Sequence, residues 1–234
     1  MTIGVDRYPA SWRHDRRALL LWLLALAALH TSVFTGCATE EKIKKSNGYY
    51  QEGVASLSVD RQKAFVSFQK AIQLNPDNKE AHYGLGHIYA LQGKFREAEE
   101  AFREAIRLDA DYSEAHTYLG QVLAQQDRWS EAIKSYKQAL SNPLYATPDL
   151  ARFHLGRALA HEGDMQAAVE AFEDALLVDP PSVPPAMLHL ELGRAYYKLG
   201  YDNKAREMLA KVSTFDKGGE YAAAAGQLLE RLKR

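Results

Sequence analysis

One pattern constrains the fold more than any other feature of this sequence, and it returns about every 34 residues. A Leu-Gly pair is followed, twelve residues after the glycine, by alanine, then four residues later by a large side chain and three residues later by alanine or valine. The glycines of this pattern are Gly86, Gly120, Gly156 and Gly193, and a shorter first copy begins at Gly53. Repeats of this length predict a stack of similar units, because no single unit can bury its own apolar side chains.

Each unit contains two helical segments and a short turn. Apolar residues such as Leu85, Tyr89 and Phe102 follow the spacing of three and four residues that is typical of a buried helix face. The whole pattern resembles the tetratricopeptide repeat (TPR). This resemblance implies an all-α, right-handed α-solenoid of about five helix pairs and a C-terminal capping helix. The repeats are placed at 46–77, 79–112, 113–146, 149–182 and 186–217, with the cap at 218–234.

The first 36 residues differ from the repeat array. Four arginines precede a run of 12 apolar residues at 18–29, and small residues follow it. A basic start, an apolar segment shorter than a membrane span and a small-residue cleavage point predict a secretory signal peptide over residues 1–36. An uncleaved signal anchor is the alternative interpretation.

Cys37 is the only cysteine, and it follows a Phe-Thr-Gly tripeptide. This run resembles the bacterial lipobox, although phenylalanine stands where leucine is usual. The resemblance implies cleavage before Cys37 and its acylation, with palmitate among the lipids, so that residues 37–45 become a lipidated linker. Each buried methylene of such an anchor contributes about 0.8 kcal/mol. Because Ala38 rather than aspartate follows, the resemblance favours the periplasmic face of the bacterial outer membrane.

The charged and polar residues suggest neither catalysis nor nucleic-acid binding. The formal net charge is -1, which offers no basic footprint for nucleic acid. His82, His116 and His189 recur at the fourth position of three repeats, and this recurrence favours a shared packing role over a metal site. We therefore expect a protein that is not an enzyme and binds no metal, no small-molecule substrate and no cofactor, with the lipid on Cys37 as its one covalent group.

A partner-binding groove follows from the TPR resemblance. In that family, positions 2, 5, 9, 12 and 13 of the first helix of each repeat line the groove. Transferred to this chain, the candidate residues are Tyr83, His87, Gln121, Phe153, Arg157, Arg194 and Tyr197. Aromatic and arginine side chains often dominate interface energies. Tyr83 and His87 stand where chaperone-binding TPRs have lysine and asparagine, so a clamp for a C-terminal carboxylate of that class is disfavoured.

The stretch SNPLYATPDLARFHLG, at 141–156, lengthens the period by two residues. An asparagine before the first proline disfavours helix, and the Thr-Pro-Asp that follows favours a new helix start. The residues that mark this junction are Pro143, Leu144, Tyr145 and Pro148. We expect Leu144 and Tyr145 to fill the seam between repeats 3 and 4, with direct contact to a partner as the alternative.

The same stretch resembles a run close to N-P-L-Y-x-T-P-E-x-A-x-x-N-L-G in the type IV pilus pilotin family, the Tgl, PilF and PilW lipoproteins. Phe153 and His154 depart from that run. The resemblance implies a periplasm-facing, lipid-anchored protein that binds secretin subunits and promotes their localisation and multimer assembly for type IV pilus biogenesis. The alternative function is a TPR lipoprotein scaffold for cell-wall enzymes or for polysaccharide export.

Overall fold

Helices and short turns alternate through residues 39–233, the part of the chain that this computed structural model describes. Every regular element in that part is an α-helix, which confirms the predicted all-α class. The predicted signal peptide at 1–36 and the predicted lipidation site Cys37 lie outside the described residues. No helix within 39–233 is both long and apolar enough to cross a membrane.

Eleven helices follow one another between residues 39 and 233. Their bounds are 39–56 for α1, Arg61–Leu74 for α2, Lys79–Leu91 for α3, Phe95–Leu108 for α4, Ser113–Gln125 for α5, Trp129–Ser141 for α6, Pro148–Glu162 for α7, Met165–Leu176 for α8, Pro185–Lys198 for α9, Asp202–Phe215 for α10 and Glu220–Leu232 for α11. Helices α3 to α10 pack as four helical hairpins, α1 packs against α2 as a fifth, and α11 packs against α9 and α10. The five helix pairs and the capping helix are therefore present.

Helix α1 begins earlier than the sequence predicts. Residues 39–45, placed above in the lipidated linker, are already helical and run without a break into the first repeat. The segment TEEKIKK places acids before bases, and Glu41 and Lys45 form an i,i+4 ion pair of 2.8 Å that favours the helix. Ser46 then joins α1 to α2, because its Oγ donates to the Ala71 carbonyl oxygen at 2.8 Å.

A residue in the left-handed backbone region joins the two helices in four of the repeats. Gly93, Gly163 and Gly200 have φ values of 72°, 91° and 77° after α3, α7 and α9. The corresponding residue after α5 is Asp127, whose φ is 58°. Aspartate is one of the few residues with a side chain that adopt this region readily. The short turns predicted from the sequence therefore depend on a single backbone conformation.

The core of each repeat rests on a close approach between a glycine of the first helix and a side chain of the second. At Gly120, a Cβ atom would lie 2.5 Å from Cε1 of Tyr136, closer than two carbon atoms can pack. The Tyr136 side chain is 1% exposed and occupies the space that the glycine leaves. The equivalent pairs are Gly53–Phe68, Gly86–Phe102, Gly156–Phe172 and Gly193–Leu209. This contact recurs once in each repeat, and its recurrence produces the period of about 34 residues in the sequence.

Two of these rings also receive an aromatic side chain from the next repeat, a contact that the sequence analysis did not predict. Tyr118 stacks on Phe102 with ring centroids 6.1 Å apart, and His154 stacks on Tyr136 at 5.9 Å. Both side chains occupy the sixth position of their repeat. In repeat 5 the same position is Glu191, which has no ring to stack.

The first helices of neighbouring repeats touch one another, and the second helices do not. Contacts join α3 to α5, α5 to α7 and α7 to α9, whereas none joins α4 to α6 or α6 to α8 in the described array. A stack whose elements lie closer together on one side curves toward that side, and such curvature creates a concave surface. The first helices therefore line this concave surface, which we call the groove.

The recurring histidines attach loops and helix ends to the array. Nε2 of His82 lies 2.9 Å from the Pro76 carbonyl oxygen, and Nε2 of His116 lies 2.9 Å from the Ala110 carbonyl oxygen. Both carbonyl groups belong to the loop that precedes the helix. His189 instead binds a carbonyl oxygen of its own helix through Nδ1, at 2.7 Å. These hydrogen bonds support the packing role expected for the repeated histidine.

Gly120→Ala should lower the free energy of unfolding by about 1–3 kcal/mol, because the added methyl group overlaps the Tyr136 ring and forces the core to shift. Gly226→Ala is the matched control. Gly226 lies inside α11 with nothing within 4 Å of an added Cβ. Helix propensity alone should therefore raise stability there, by up to about 1 kcal/mol. Urea unfolding followed by circular dichroism measures both variants, and equal effects would contradict the importance of the glycine–ring contact.

Candidate partner-binding groove

Only some of the positions predicted to line the groove reach its surface. At the fifth position of the first helices, Thr117, Phe153 and Leu190 are 0%, 4% and 3% exposed. Because neighbouring first helices touch, side chains at this position are enclosed between repeats in repeats 3 to 5, whereas Tyr83 at the same position of repeat 2 is only half-buried. Phe153 packs against Phe172 with ring centroids 6.0 Å apart, so the prediction that Phe153 lines the partner surface is wrong. The ninth and thirteenth positions remain accessible.

In the N-terminal half of the groove, Tyr83 and His87 belong to a cluster of rings. The centroid of Tyr83 lies 5.3 Å from that of Tyr112 and 5.7 Å from that of Tyr118, and His87 meets Tyr118 at 5.2 Å. Burial raises the pKa of Tyr83 and of Tyr112. Burial lowers the pKa of His87, and the charge of Arg61 lowers it further. This half of the groove therefore presents half-buried rings that are neutral at pH 7.

The middle of the groove is more polar. Gln121 on α5 is half-buried, and Arg157 on α7 is exposed. The guanidinium carbon of Arg157 lies 5.8 Å from the centroid of the Phe153 ring, within the range of a cation–π interaction. The Phe153 ring thus contributes to the groove indirectly, because it supports a cation that a partner can reach.

At the C-terminal end of the groove, Arg194 and Tyr197 line a pocket of about 410 Å³ between α7, α8, α9 and α11. Nη1 of Arg194 forms an ion pair with Oε1 of Glu191 at 2.6 Å. Lys198 and Arg231 line the same pocket. The apolar side chains of the pocket are those of Ala160, Met165, Phe172, Ala195, Ala224 and Leu228. Among the predicted groove residues, Arg194 and Tyr197 are the two that line this pocket.

The two apolar residues of the junction have different environments. Tyr145 is 8% exposed and fills the seam between α6 and α7. Its hydroxyl lies 2.9 Å from Oγ1 of Thr117, which ties the seam to α5. Leu144 is 88% exposed, so the expectation that it also fills the seam is wrong. The Leu144 amide donates to Oδ1 of Asn142 at 2.9 Å in a local turn, and the leucine side chain of this turn remains in solvent.

Asp149 links the junction to the PPSVPP run at 180–185, which leads into α9. The carboxylate follows Pro148 at the start of α7 and is completely buried. Its Oδ2 atom accepts hydrogen bonds from the backbone amides of Ser182 at 2.5 Å and Val183 at 2.9 Å. The loop before α9 is thereby attached to the beginning of α7. Sequence analysis predicted only an acid near a helix start and gave no indication of this long-range contact.

The most buried glutamate of the array serves packing between repeats. Nη1 of Arg128 donates to both oxygens of Glu99, at 2.8 Å and 2.7 Å, and Nε2 of Gln126 donates to one of them at 3.0 Å. Burial alone would raise the pKa of Glu99, but the bonds from Gln126 and Arg128 lower it overall. Within residues 39–233, no group of three or more His, Cys, Asp or Glu side chains could hold a metal ion.

Comparison with known families agrees with this architecture. A tetratricopeptide repeat model matches residues 90–149 and 119–184, and a second TPR repeat model matches residues 62–93. Together these matches extend over more than half of the chain. The chain belongs to the tetratricopeptide repeat family. TPR domains bind protein partners, so the groove is the candidate surface for such a partner.

Three solved structures share the fold of this TPR protein. PilF of Pseudomonas aeruginosa is 21% identical, with a TM-score of 0.67, over 82% of this chain and 93% of PilF. PilW, a widely conserved type IV pilus biogenesis factor, is 24% identical, with a TM-score of 0.66, over 72% of this chain and 76% of PilW. YrrB, a TPR protein with an unusual peptide-binding site, is 26% identical, with a TM-score of 0.63, over 82% of this chain and 97% of YrrB.

The sequence analysis missed the residues that the capping helix contributes to the groove. Ala224, Leu228 and Arg231 lie four and three residues apart on α11, and all three line the C-terminal pocket. Their spacing is the signal that the sequence contains, since residues separated in this way share one face of a helix. The face becomes part of a pocket only because α11 packs beside α9, and the repeat pattern does not include that contact.

Asp149→Ala should reduce the free energy of unfolding by about 2–4 kcal/mol, because two backbone amides lose a charged hydrogen-bond acceptor. Asp174→Ala on α8 is the control, since the Asp174 side chain is exposed. Its effect should stay within about 0.5 kcal/mol. Urea unfolding gives the stabilities, and amide hydrogen exchange at Ser182 and Val183 reports the released loop. Unchanged exchange at these two amides would contradict the link between α7 and the loop.

Stability should also depend on the protonation of His154. Burial lowers the pKa of His154 to about 4, and the charge of Arg157 contributes to the shift. An unfolded histidine has a pKa of about 6.5, so between these values the unfolded chain binds more protons and stability falls as the pH is lowered. The wild type should lose up to about 3 kcal/mol more than His154→Phe between pH 7 and pH 4. Urea unfolding across this pH range measures the difference, and parallel pH profiles would contradict the assignment.

Proposed function

We propose that this TPR protein is a non-catalytic, outer-membrane lipoprotein adaptor that binds secretin subunits and promotes their localisation and multimer assembly in type IV pilus biogenesis. The observation that carries the proposal is the NPLYATP junction, which interrupts the array between repeats 3 and 4. The run resembles that of the pilotin family. The array around it has the fold of PilF over 93% of that chain.

The groove supports a binding role. Its accessible side chains include half-buried tyrosines at one end and cations at the other, and such residues often carry interface energy. Glycine–ring contacts join the two helices of each repeat, and stacked aromatic side chains join repeat 2 to repeat 3 and repeat 3 to repeat 4, so the groove is a rigid surface. A rigid surface loses little conformational freedom on binding, which favours capture of a subunit segment.

The junction offers a second surface for the same role. Leu144 is exposed beside Pro143, although Tyr145 next to it is buried. An exposed leucine held in a defined turn is suited to enter an apolar recess on a partner. We assign the Tyr145 side chain to packing and the Leu144 side chain to recognition.

Membrane attachment is proposed through a lipid on Cys37. Helix α1 is already formed at residue 39, only two residues beyond this cysteine. The chain between anchor and array would therefore contain little flexible linker. Such an anchor would hold the groove near the inner surface of the outer membrane, where secretin subunits have to assemble.

Deleting the gene should leave secretin subunits unassembled, because the adaptor would no longer bring them together at the outer membrane. Gel electrophoresis of unheated membrane samples distinguishes secretin multimers from monomers. Expression of the wild-type protein should restore the multimers, and Cys37→Ser should restore fewer because it removes the anchor. Leu144→Asp should also restore fewer, whereas Leu177→Asp provides a matched control at another loop leucine that is 81% exposed.

Normal secretin multimers and normal piliation in the deletion strain would overturn the proposed function. Full activity of Cys37→Ser, with acyl labelling unchanged, would overturn the lipid anchor alone. Equal complementation by the Leu144→Asp and Leu177→Asp variants would exclude Leu144 from recognition and leave the groove as the binding surface.

A further inference from the structure

The C-terminal pocket combines an apolar interior with a cationic rim. Its walls include Ala160, Ala195 and Leu228, and its rim includes Lys198 and Arg231. The volume of about 410 Å³ is sufficient for one or two large apolar side chains. The pocket therefore matches a segment that carries apolar and charged groups together.

The charges on the rim do not cancel. Glu191 is the only acidic residue of the pocket, and it is paired with Arg194 at 2.6 Å. Lys198 and Arg231 form no ion pair with any residue in 39–233. Among the described residues, these two cations thus flank an apolar interior without acidic partners, and a bound carboxylate would complete their electrostatic environment.

The order of side chains along the array explains why a pocket exists at this place. At the two preceding junctions, the sixth position of the next repeat supplies a ring that stacks on the aromatic residue of the second helix. In repeat 5 the sixth position is Glu191, whose carboxylate pairs with Arg194 instead. Phe172 therefore lacks an aromatic neighbour on that side and forms part of the pocket wall.

The outer wall of the pocket is fixed in position before any ligand binds. At the start of α11, the Ala222 amide donates to Oδ2 of Asp216 at 2.9 Å. At its end, Nη2 of Arg206 donates to the Leu232 carbonyl oxygen at 2.6 Å. Helix α11 is thus attached to the α10 region at both ends, and a preorganised wall reduces the entropy lost on binding.

We infer that this pocket binds an acidic, amphipathic segment of a protein partner, with apolar side chains inside the pocket and carboxylates on Lys198 and Arg231. The inference rests on the proposed function, since it assigns a site and a ligand chemistry to the partner that the groove binds. Acidic side chains fit better than a single chain-terminal carboxylate. The cations lie on two helices, α9 and α11, and Arg157 on α7 extends them along the groove.

The test uses the full-length protein in detergent, immobilised and exposed to a displayed library of random peptides. Peptides that bind should be enriched in Asp and Glu next to Leu, Ile or Phe. Combining Lys198→Glu with Arg231→Glu should weaken these peptides by about tenfold or more, because two attractions become repulsions. The matched control combines Lys134→Glu with Lys137→Glu, which reverses two exposed cations on α6 outside the pocket and should change binding by less than about twofold.

A second double variant, Lys198→Gln with Arg231→Gln, should show an intermediate loss of peptide affinity. It replaces the charge-reversed variant in the test if that variant does not fold. Recovery of no peptides, recovery of peptides without acidic residues, or equal binding to the pocket and control variants would overturn the inference. The same variants are then tested against the purified periplasmic part of the secretin. Secretin binding that is insensitive to the pocket variants contradicts this inference alone. Absence of secretin binding, with acidic peptides still bound at the pocket, contradicts the proposed function alone.

Discussion

The contact between a glycine of one helix and a large side chain of its partner determines the rest of this structure. At Gly120 the missing side chain leaves a space that the Tyr136 ring fills, and the equivalent pairs recur in the other repeats. The two helices can therefore approach closely, and the ring that fills this space is also available to the next repeat. The C-terminal pocket follows from how the next repeat covers that ring, because repeat 5 supplies no ring to stack on Phe172.

The sequence predicts most of the fold because the decisive contacts are local and periodic. Gly120 and Tyr136 are 16 residues apart, and the same spacing identifies the helix pairs of repeats 2 to 5, with a spacing one residue shorter in repeat 1. The sequence predicts less of the groove, because the exposure of each groove side chain depends on how close neighbouring repeats lie. Phe153 occupies a position expected to face a partner, yet it is 4% exposed, since adjacent first helices enclose that position. Arg231 contributes to the pocket only through the packing of α11 beside α9.

The irregular parts of the sequence are the least predictable and the most informative. The NPLYATP run looks like a spacer, but its residues separate into a buried tyrosine that binds Thr117 and a leucine that remains in solvent. Proline positions indicate where helices end and begin. They do not indicate which neighbouring side chain turns inward, because this depends on the space left between α6 and α7.

In a linear array, each repeat ordinarily contacts only its immediate neighbours, so unfolding can start at either end and progress stepwise. The Asp149 carboxylate strengthens one such neighbour contact, because it binds amides 33 and 34 residues further along the chain, at the loop that leads into repeat 5. Opening of the loop before α9 must therefore disturb the start of α7. Repeats 4 and 5 and the capping helix are expected to melt as one cooperative unit. The end of the array that contains the cationic pocket therefore resists fraying more than an isolated terminal repeat would.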